Sequence, residues 1–304
     1  MGRQSRRRWK VRQGRTDVKY EFFPGCSIHG TAREYGLSLK AVFQRFGVGL
    51  NEIEDWSCCG ATAARSLDGF LPIMLGARNL ALAQKRGQPL LAPCNLCYNN
   101  LAVARHALEE DELRQRVNSS LRDLGLAYSG GVALLHPLQV IDSEVTVERI
   151  AAEVVCPLLG LKVVSYYGCL LTRPGYASVG ESNFNPTALD RLASALGADP
   201  LPFSAKTRCC GGPLLMTHPK AAGLAAKRLL DEARDLGAQC IVVTCPQCQL
   251  SLGASQGTIE ARYGVKYNIP VLYFTQLLGL ALGIDPRALG LPSGKLAARA
   301  VSTP

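Results

Sequence analysis

Ten of the twelve cysteines fall into two copies of one frame, and this doubled frame constrains the fold more than any other feature. Each copy begins with a lone cysteine, continues with Cys-Cys-Gly and closes with Cys-x-x-Cys. The two intervening segments have 31 and 34 residues in the first copy, and 39 and 34 in the second. The first set is Cys26, Cys58, Cys59, Cys94 and Cys97, and the second is Cys169, Cys209, Cys210, Cys245 and Cys248. A repeat of roughly 120 residues indicates a duplicated module and not a solenoid.

The segments between the cysteines alternate between strand and helix patterns. Short apolar strands are expected at 19–23, 50–53, 90–92, 161–167, 200–203 and 241–243, and amphipathic helices at 35–46, 71–86, 189–196 and 220–236. This alternation predicts an α/β fold of two tandem, pseudo-symmetric modules, each a small, mainly parallel sheet with flanking helices. The cysteines follow strands, so we expect them at the carboxyl ends of the sheets.

The same pattern divides the chain into five parts. The expected divisions are a basic, disordered tail (1–20), a first module (21–142), a helical connector (143–160), a second module (161–283) and a C-terminal tail (284–304). A chain of 304 residues with 47% hydrophobic content can form two such globular modules.

The net charge of +10 is concentrated at the N-terminus. Residues 1–20 contain eight Lys or Arg and one Asp, which leaves a charge of +3 for the rest. No known nucleic-acid module follows this tail, so no nucleic-acid partner is expected. No apolar run reaches the roughly 18 residues of a membrane span. Twelve thiols without a secretory signal predict a cytoplasmic protein that keeps its cysteines reduced.

Five cysteines in a repeated frame favour a polynuclear metal site. A lone Cys-x-x-Cys is shared by zinc, redox and iron–sulfur proteins. Zinc takes four tetrahedral ligands, and directly adjacent cysteines are hard to aim at one ion because neighbouring side chains diverge in extended backbone. Adjacent thiolates suit two neighbouring metals, as in an iron–sulfur cluster with one thiolate more than the usual four. A scaffold with two structural zinc ions is the alternative.

At these residues the chain resembles the cysteine-rich CCG-domain family and, within it, the B-type subunits of heterodisulfide reductases. The resemblance covers nearly all of residues 20–283, and both motifs are complete. It implies that each five-cysteine set holds one noncubane 4Fe-4S cluster, with no flavin in this chain. It also implies that the two clusters face each other and that a disulfide is cleaved between them.

The resemblance implies partners as well. Electrons would pass through a ferredoxin-like iron–sulfur subunit and a flavoprotein subunit of the same complex, and the substrate would be a small-molecule or lipoyl disulfide or thiol, in either direction of the reaction. Disulfide reduction needs two electrons and clusters pass one at a time, which agrees with two centres. The alternative is a noncatalytic electron-transfer or docking subunit of a succinate or fumarate oxidoreductase-type complex.

Few residues outside the two sets are candidates for chemistry. His29 and His218 lie near the motifs and could supply a proton, although His218 equally fits a helix start. Lys206 and Arg208 flank the second pair and could attract an anionic substrate or simply be solvated. Cys156 and Cys240 are expected to be small buried hydrophobes.

Overall fold

The computed structural model describes residues 19–174, 176, 179 and 182–291. Most of the basic tail predicted over 1–20 therefore lies outside the described residues. Its last two residues begin the first strand, as expected for 19–23, and Tyr20 there is buried at 1% exposure.

The first module is a four-stranded parallel sheet with the order β2-β1-β3-β4. Its strands are β1 (Lys19–Phe22), β2 (Gly49–Glu52), β3 (Leu90–Leu91) and β4 (Leu134–Leu135). The helices are α1 (Gly25–His29), α2 (Arg33–Arg45), α3 (Ala63–Leu67), α4 (Leu71–Gln84), α5 (Asn95–Ala107), α6 (Asp111–Leu121), α7 (Pro137–Val140) and α8 (Val147–Glu153), with a 3₁₀ turn at Arg122–Leu124 and a π-helical stretch at Ile141–Thr146.

The second module repeats this architecture with the order β6-β5-β7-β8, again all parallel. Its strands are β5 (Lys162–Tyr166), β6 (Asp199–Pro200), β7 (Cys240–Val243) and β8 (Val271–Tyr273). The helices are α9 (Ala188–Ala195), α10 (Pro219–Asp235), α11 (Pro246–Gln249), α12 (Gln256–Tyr263) and α13 (Phe274–Ala281), with a 3₁₀ turn at Gly212–Leu214 and a π-helical stretch at Leu250–Ala254.

The equal strand orders confirm the predicted fold of two tandem α/β modules. In each sheet the first strand lies between the second and the third, so the chain reverses direction across the sheet at this point. Open α/β sheets bind their ligands outside the carboxyl ends of strands at such a reversal. A ligand is therefore expected at this edge of both modules.

A buried interface joins the two modules. Tyr35 of α2 stacks on Tyr273 of β8, with ring centroids 4.2 Å apart and planes 1° from parallel. The hydroxyls of Ser38 and Thr275 lie 2.7 Å apart and both residues are fully buried. A buried polar pair adds directional specificity to the apolar contact, since each hydroxyl would otherwise lack a partner.

The secondary structure in two of the predicted segments differs from the expected pattern. The connector predicted as helical over 143–160 is helical only to Glu153, after which the Val155 and Cys156 N–H groups bond to the Ala281 carbonyl of the second module. The tail predicted over 284–304 is packed in its described part, because Leu289 is fully buried. Burial of apolar side chains outweighed the Ala, Gly and Pro-rich composition there. None of the helices in the described part of the chain has the length and apolar content to cross a bilayer.

Candidate metal centres

Every cysteine of the two sets lies just beyond a strand, as the frame predicted. In the first module Cys26 lies in α1 after β1, the pair follows β2, and Cys94 is the residue before α5, which follows β3. The second module places Cys169 after β5 and Cys245 before α11. Three neighbouring strand ends thus contribute to each set.

Hydrogen bonds connect the thiols of the first set. Cys58 and Cys97 both donate to Cys59, and these two bonds lower the pKa of the Cys59 thiol. The Cys97 thiol also interacts with the Cys94 thiol. Cys26 is exposed and interacts electrostatically with Cys58, so it lies near the pair.

The second set has the same pattern. Cys169 donates to Cys209, and this bond, with that from the Gly211 N–H, lowers the pKa of the Cys209 thiol. The Sγ atoms of Cys210 and Cys248 lie 3.7 Å apart. The Cys248 thiol in turn interacts with the Cys245 thiol.

The two sets meet at one contact. The thiols of Cys94 in the first set and Cys245 in the second interact directly, and this interaction raises the pKa of the Cys94 thiol. These residues hold equivalent places in the repeat, and contact between equivalent residues is the mark of a two-fold arrangement. The two candidate centres therefore adjoin across a pseudo-two-fold axis.

A glycine makes room for the last cysteine of each set. A Cβ at Gly25 would lie 2.9 Å from Cys97 Sγ, and a Cβ at Gly168 would lie 3.0 Å from Cys248 Sγ. Both glycines also have positive φ, +67° and +71°. Each lies directly before the lone cysteine, so the backbone there approaches a sulfur that a side chain would displace.

The chemistry of the donor set fits a polynuclear group. Among residues 19–174, 176, 179 and 182–291, no three His, Cys, Asp or Glu side chains are placed to hold one metal ion. The five thiols of each set are instead spread along a chain of sulfur contacts. Such a donor set suits a cluster of several irons, in which different thiolates bind different metals.

Equivalent polar residues hold the Cys-Cys turn in each module. The amide of Asn100 donates to the carbonyls of Cys59 at 3.2 Å and Ala61 at 2.9 Å. At the equivalent place, the Ser251 hydroxyl donates to the Cys210 carbonyl at 2.6 Å. Sequence reasoning missed both, although their equal distance from each Cys-x-x-Cys was a signal that could have found them.

The two histidine candidates differ in their surroundings. His29 Nε2 lies 2.7 Å from Glu52 Oε1, and its ring stacks on Trp56, two residues before the first pair. His218 is an exposed residue before α10, and its ring nitrogen lies 3.1 Å from the Thr217 hydroxyl. His29 therefore lies between a carboxylate and the segment that leads to the first cysteine pair.

The remaining candidates differ in burial and in their contacts. Lys206 is buried and paired with Asp190, which leaves it unsuited to attracting a substrate. Arg208 is exposed. Cys240 is buried in β7, where burial raises the pKa of its thiol to about 12, and Cys156 is half-buried outside both sets.

His136 holds the residue that precedes Cys94 of the first set. It lies before α7, where its Nδ1 accepts from the Leu138 N–H at 3.2 Å and its Nε2 donates to the Pro93 carbonyl at 3.0 Å, directly before Cys94. Only the neutral ring can accept at Nδ1 and donate at Nε2. Burial lowers the pKa of His136 from 6.5 to about 4 against the opposing effect of that carbonyl.

We expect His136 to make the fold sensitive to acid. Between pH 6.5 and pH 4 the unfolded chain binds a proton that the folded chain does not, so the free energy of unfolding falls as the pH is lowered through this window, by about 3 kcal/mol in total. Urea unfolding at several pH values measures this. His136→Gln should lose that pH dependence, whereas the exposed control His106→Gln should keep it. Equal slopes in both variants would contradict the assignment.

Comparison with known proteins places the chain among proteins built from repeated cysteine-rich domains. The family model for the CCG cysteine-rich domain matches residues 20–102 and 163–253, the segments that carry the two sets. The chain belongs to this family.

The names of its relatives refer to two different enzymes, a fumarate reductase and a heterodisulfide reductase. The chain is 35% identical over 273 residues to the 8-methylmenaquinol:fumarate reductase membrane anchor subunit of Wolinella succinogenes, covering 90% of this chain and 95% of that protein. It is 32% identical over 279 residues to the B-type subunit of the ferredoxin/F(420)H(2)-dependent CoB-CoM heterodisulfide reductase of Methanosarcina acetivorans, covering 90% and 92%. A protein of Archaeoglobus profundus that is named as similar to the B-type subunit of heterodisulfide reductase is 31% identical, covering 88% and 92%. The resemblance to the B-type subunits is thus confirmed.

A solved structure supports the fold alone. A hypothetical protein from Helicobacter pylori superposes with a TM-score of 0.74 at 17% identity, over 91% of this chain. This chain spans about half of that one, with 52% covered.

Proposed function

We propose that this chain is the catalytic iron–sulfur subunit of a heterodisulfide-reductase-like complex. The two five-cysteine sets would each hold a noncubane 4Fe-4S cluster, and a disulfide-type sulfur bond would be cleaved or formed between them. The observation that carries the proposal is the meeting of two complete cysteine sets at Cys94 and Cys245. Two adjoining centres can each act on one sulfur of a disulfide, whereas a dithiol mechanism needs only an attacking and a resolving thiol and would leave eight of the ten cysteines without a role.

The exposure of the cysteines defines an open and a closed side of each site. Cys26, Cys58 and Cys209 are exposed and Cys169 is half-buried, whereas all four Cys-x-x-Cys thiols are buried. When bound, the clusters would supply single electrons to a disulfide. The chain's own residues hold the thiolates, donate N–H groups to the sulfurs of Cys209 and Cys210, and leave the open side to the substrate.

The proposal includes partners. The relatives from Wolinella and Methanosarcina are named as enzyme subunits. We infer that this chain also receives electrons from other chains, a ferredoxin-like iron–sulfur subunit and a flavoprotein subunit of the same complex. The substrate class is a small-molecule or lipoyl disulfide and its thiols.

The second candidate function rests on the Wolinella relative. Identity of 35% over 95% of a fumarate reductase anchor subunit favours a noncatalytic role in electron transfer or docking. Both functions keep the cysteine sets, so metal content alone does not separate them.

The test combines metal analysis with thiol release. Protein purified without oxygen is expected to contain about eight iron and eight sulfide per chain with little zinc, and Cys58→Ala and Cys209→Ala should each remove about half of the iron. A reduced viologen dye and an alkyl disulfide are then added. Two thiols released per disulfide, lost in both variants, support catalysis. Full clusters without thiol release favour the docking role, and zinc alone would falsify both.

A further inference from the structure

Helix α5, which begins inside the first Cys-x-x-Cys, extends two amide side chains into the second module. Asn95 Nδ2 donates to the Tyr167 carbonyl at 2.6 Å and to the Thr244 hydroxyl at 3.0 Å. One helical turn later, Asn99 Nδ2 donates to the carbonyls of Leu170 at 3.0 Å and Arg173 at 2.6 Å. Both side chains therefore reach across the interface between the modules.

Their acceptors flank one candidate ligand. The three carbonyls belong to the segment 167–173, which carries Cys169, the lone cysteine of the second set. Asn95 and Asn99 are 1% and 3% exposed. A carbonyl that loses its donor must find another partner, so these bonds fix the course of the segment.

The equivalent positions of the second module cannot make such hydrogen bonds to the first module. Counted from the Cys-x-x-Cys, Asn95 and Asn99 correspond to Pro246 and Leu250, whose side chains carry no hydrogen-bonding group. Asn100 and Ser251, one position further on, make matching hydrogen bonds within their own modules, so the two frames correspond residue by residue here. The two modules thus match at this position and differ at the two positions that carry Asn95 and Asn99.

We propose that Asn95 and Asn99 are positioning residues through which the first module assembles the second metal site. The segment with Cys169 reaches its working conformation only against the first module, whereas residues 246 and 250 give no such support to the segment with Cys26. The two sites are therefore unequal in assembly. This inference rests on the proposal that Cys169 is a ligand.

Asn99→Leu tests it by installing the residue that the second module has at the equivalent place. In a Cys58→Ala background, where only the second site can fill, the variant should lose most of the remaining iron. In a Cys209→Ala background, where only the first site can fill, it should keep its iron. Asn118→Leu is the matched control, because Asn118 makes the same kind of bond to the Tyr128 carbonyl, at 3.0 Å, on the distant helix α6. Equal iron loss in both backgrounds, or in neither, overturns the proposal.

A second readout needs no metal. In the metal-free protein, Asn99→Leu should raise the alkylation rate of Cys169 several-fold, measured by mass spectrometry, and leave that of Cys26 unchanged. Asn99→Ser, which is too short to reach both carbonyls, should act in the same direction if the leucine variant does not fold. An unchanged rate at Cys169 overturns the proposal even if the wild type holds iron, and a raised rate supports it even if the wild type holds none.

Discussion

Replacing Gly25 or Gly168 by alanine is expected to empty the metal site that it adjoins and to leave the other one filled. The new Cβ would lie 2.9 Å from Cys97 Sγ in the first case and 3.0 Å from Cys248 Sγ in the second. A free thiol can rotate away from such a contact, whereas a sulfur bound to a metal must keep its place. The loss should therefore be large in iron content, about half of the total, and modest in the stability of the metal-free protein.

Two other glycines provide matched controls. Gly87 and Gly237 also have positive φ, +67° and +76°, but a Cβ there would meet nothing within 4 Å. Alanine at any of the four positions pays the backbone strain, about 1–2 kcal/mol, and only Gly25 and Gly168 add the contact with sulfur. Iron analysis and urea unfolding of all four variants separate the two effects. Full iron in Gly25→Ala would mean that Cys97 is not a ligand in this position.

Breaking the buried ion pair of Lys206 and Asp190 is expected to cost about 3 kcal/mol of unfolding free energy. The Lys206 ammonium bonds to the Asp190 carboxylate and to the Pro186 carbonyl, the latter at 3.2 Å. Its backbone carbonyl accepts the N–H groups of Tyr167 and Gly168. Asp190→Asn leaves the ammonium buried without its counterion, so the second module should unfold at a lower denaturant concentration.

A double variant separates charge from packing. Lys206→Met with Asp190→Leu removes both charges and should recover most of the stability, because a buried pair can be replaced by apolar groups at little net cost. Glu54→Gln is the exposed control, since it breaks the surface pair with Arg86 and should change stability by less than about 1 kcal/mol. A double variant no more stable than Asp190→Asn would show that the pair is needed for its geometry.

The local features of the fold could be predicted from the sequence because they rest on local patterns. The helix expected over 71–86 forms at Leu71–Gln84, and the one expected over 220–236 forms at Pro219–Asp235. The placement of both cysteine sets beyond strand ends also followed from the order of strands and motifs. Periodicity and stop signals within a few residues were enough for these results.

Contacts between distant segments could not be predicted in this way. The bonds from Asn95 and Asn99 span more than 70 residues of sequence, and the pairing of Lys206 with Asp190 depends on where α9 begins. Lys206 appeared in the sequence as a charged neighbour of a cysteine pair, and nothing local showed that it was buried. Packing between modules decides these positions, and a single sequence does not display it.

The contact of Cys94 with Cys245 has a consequence for how the chain arose. Two equivalent residues that touch across an axis are arranged as in a symmetric homodimer, and joining the two copies in one chain preserves that interface. In a homodimer every substitution appears twice, so Asn99 could not face one partner while Leu250 faced the other. A fused gene removes this restriction. The covalent link between the halves therefore allows two copies of one ancestral module to acquire different functions.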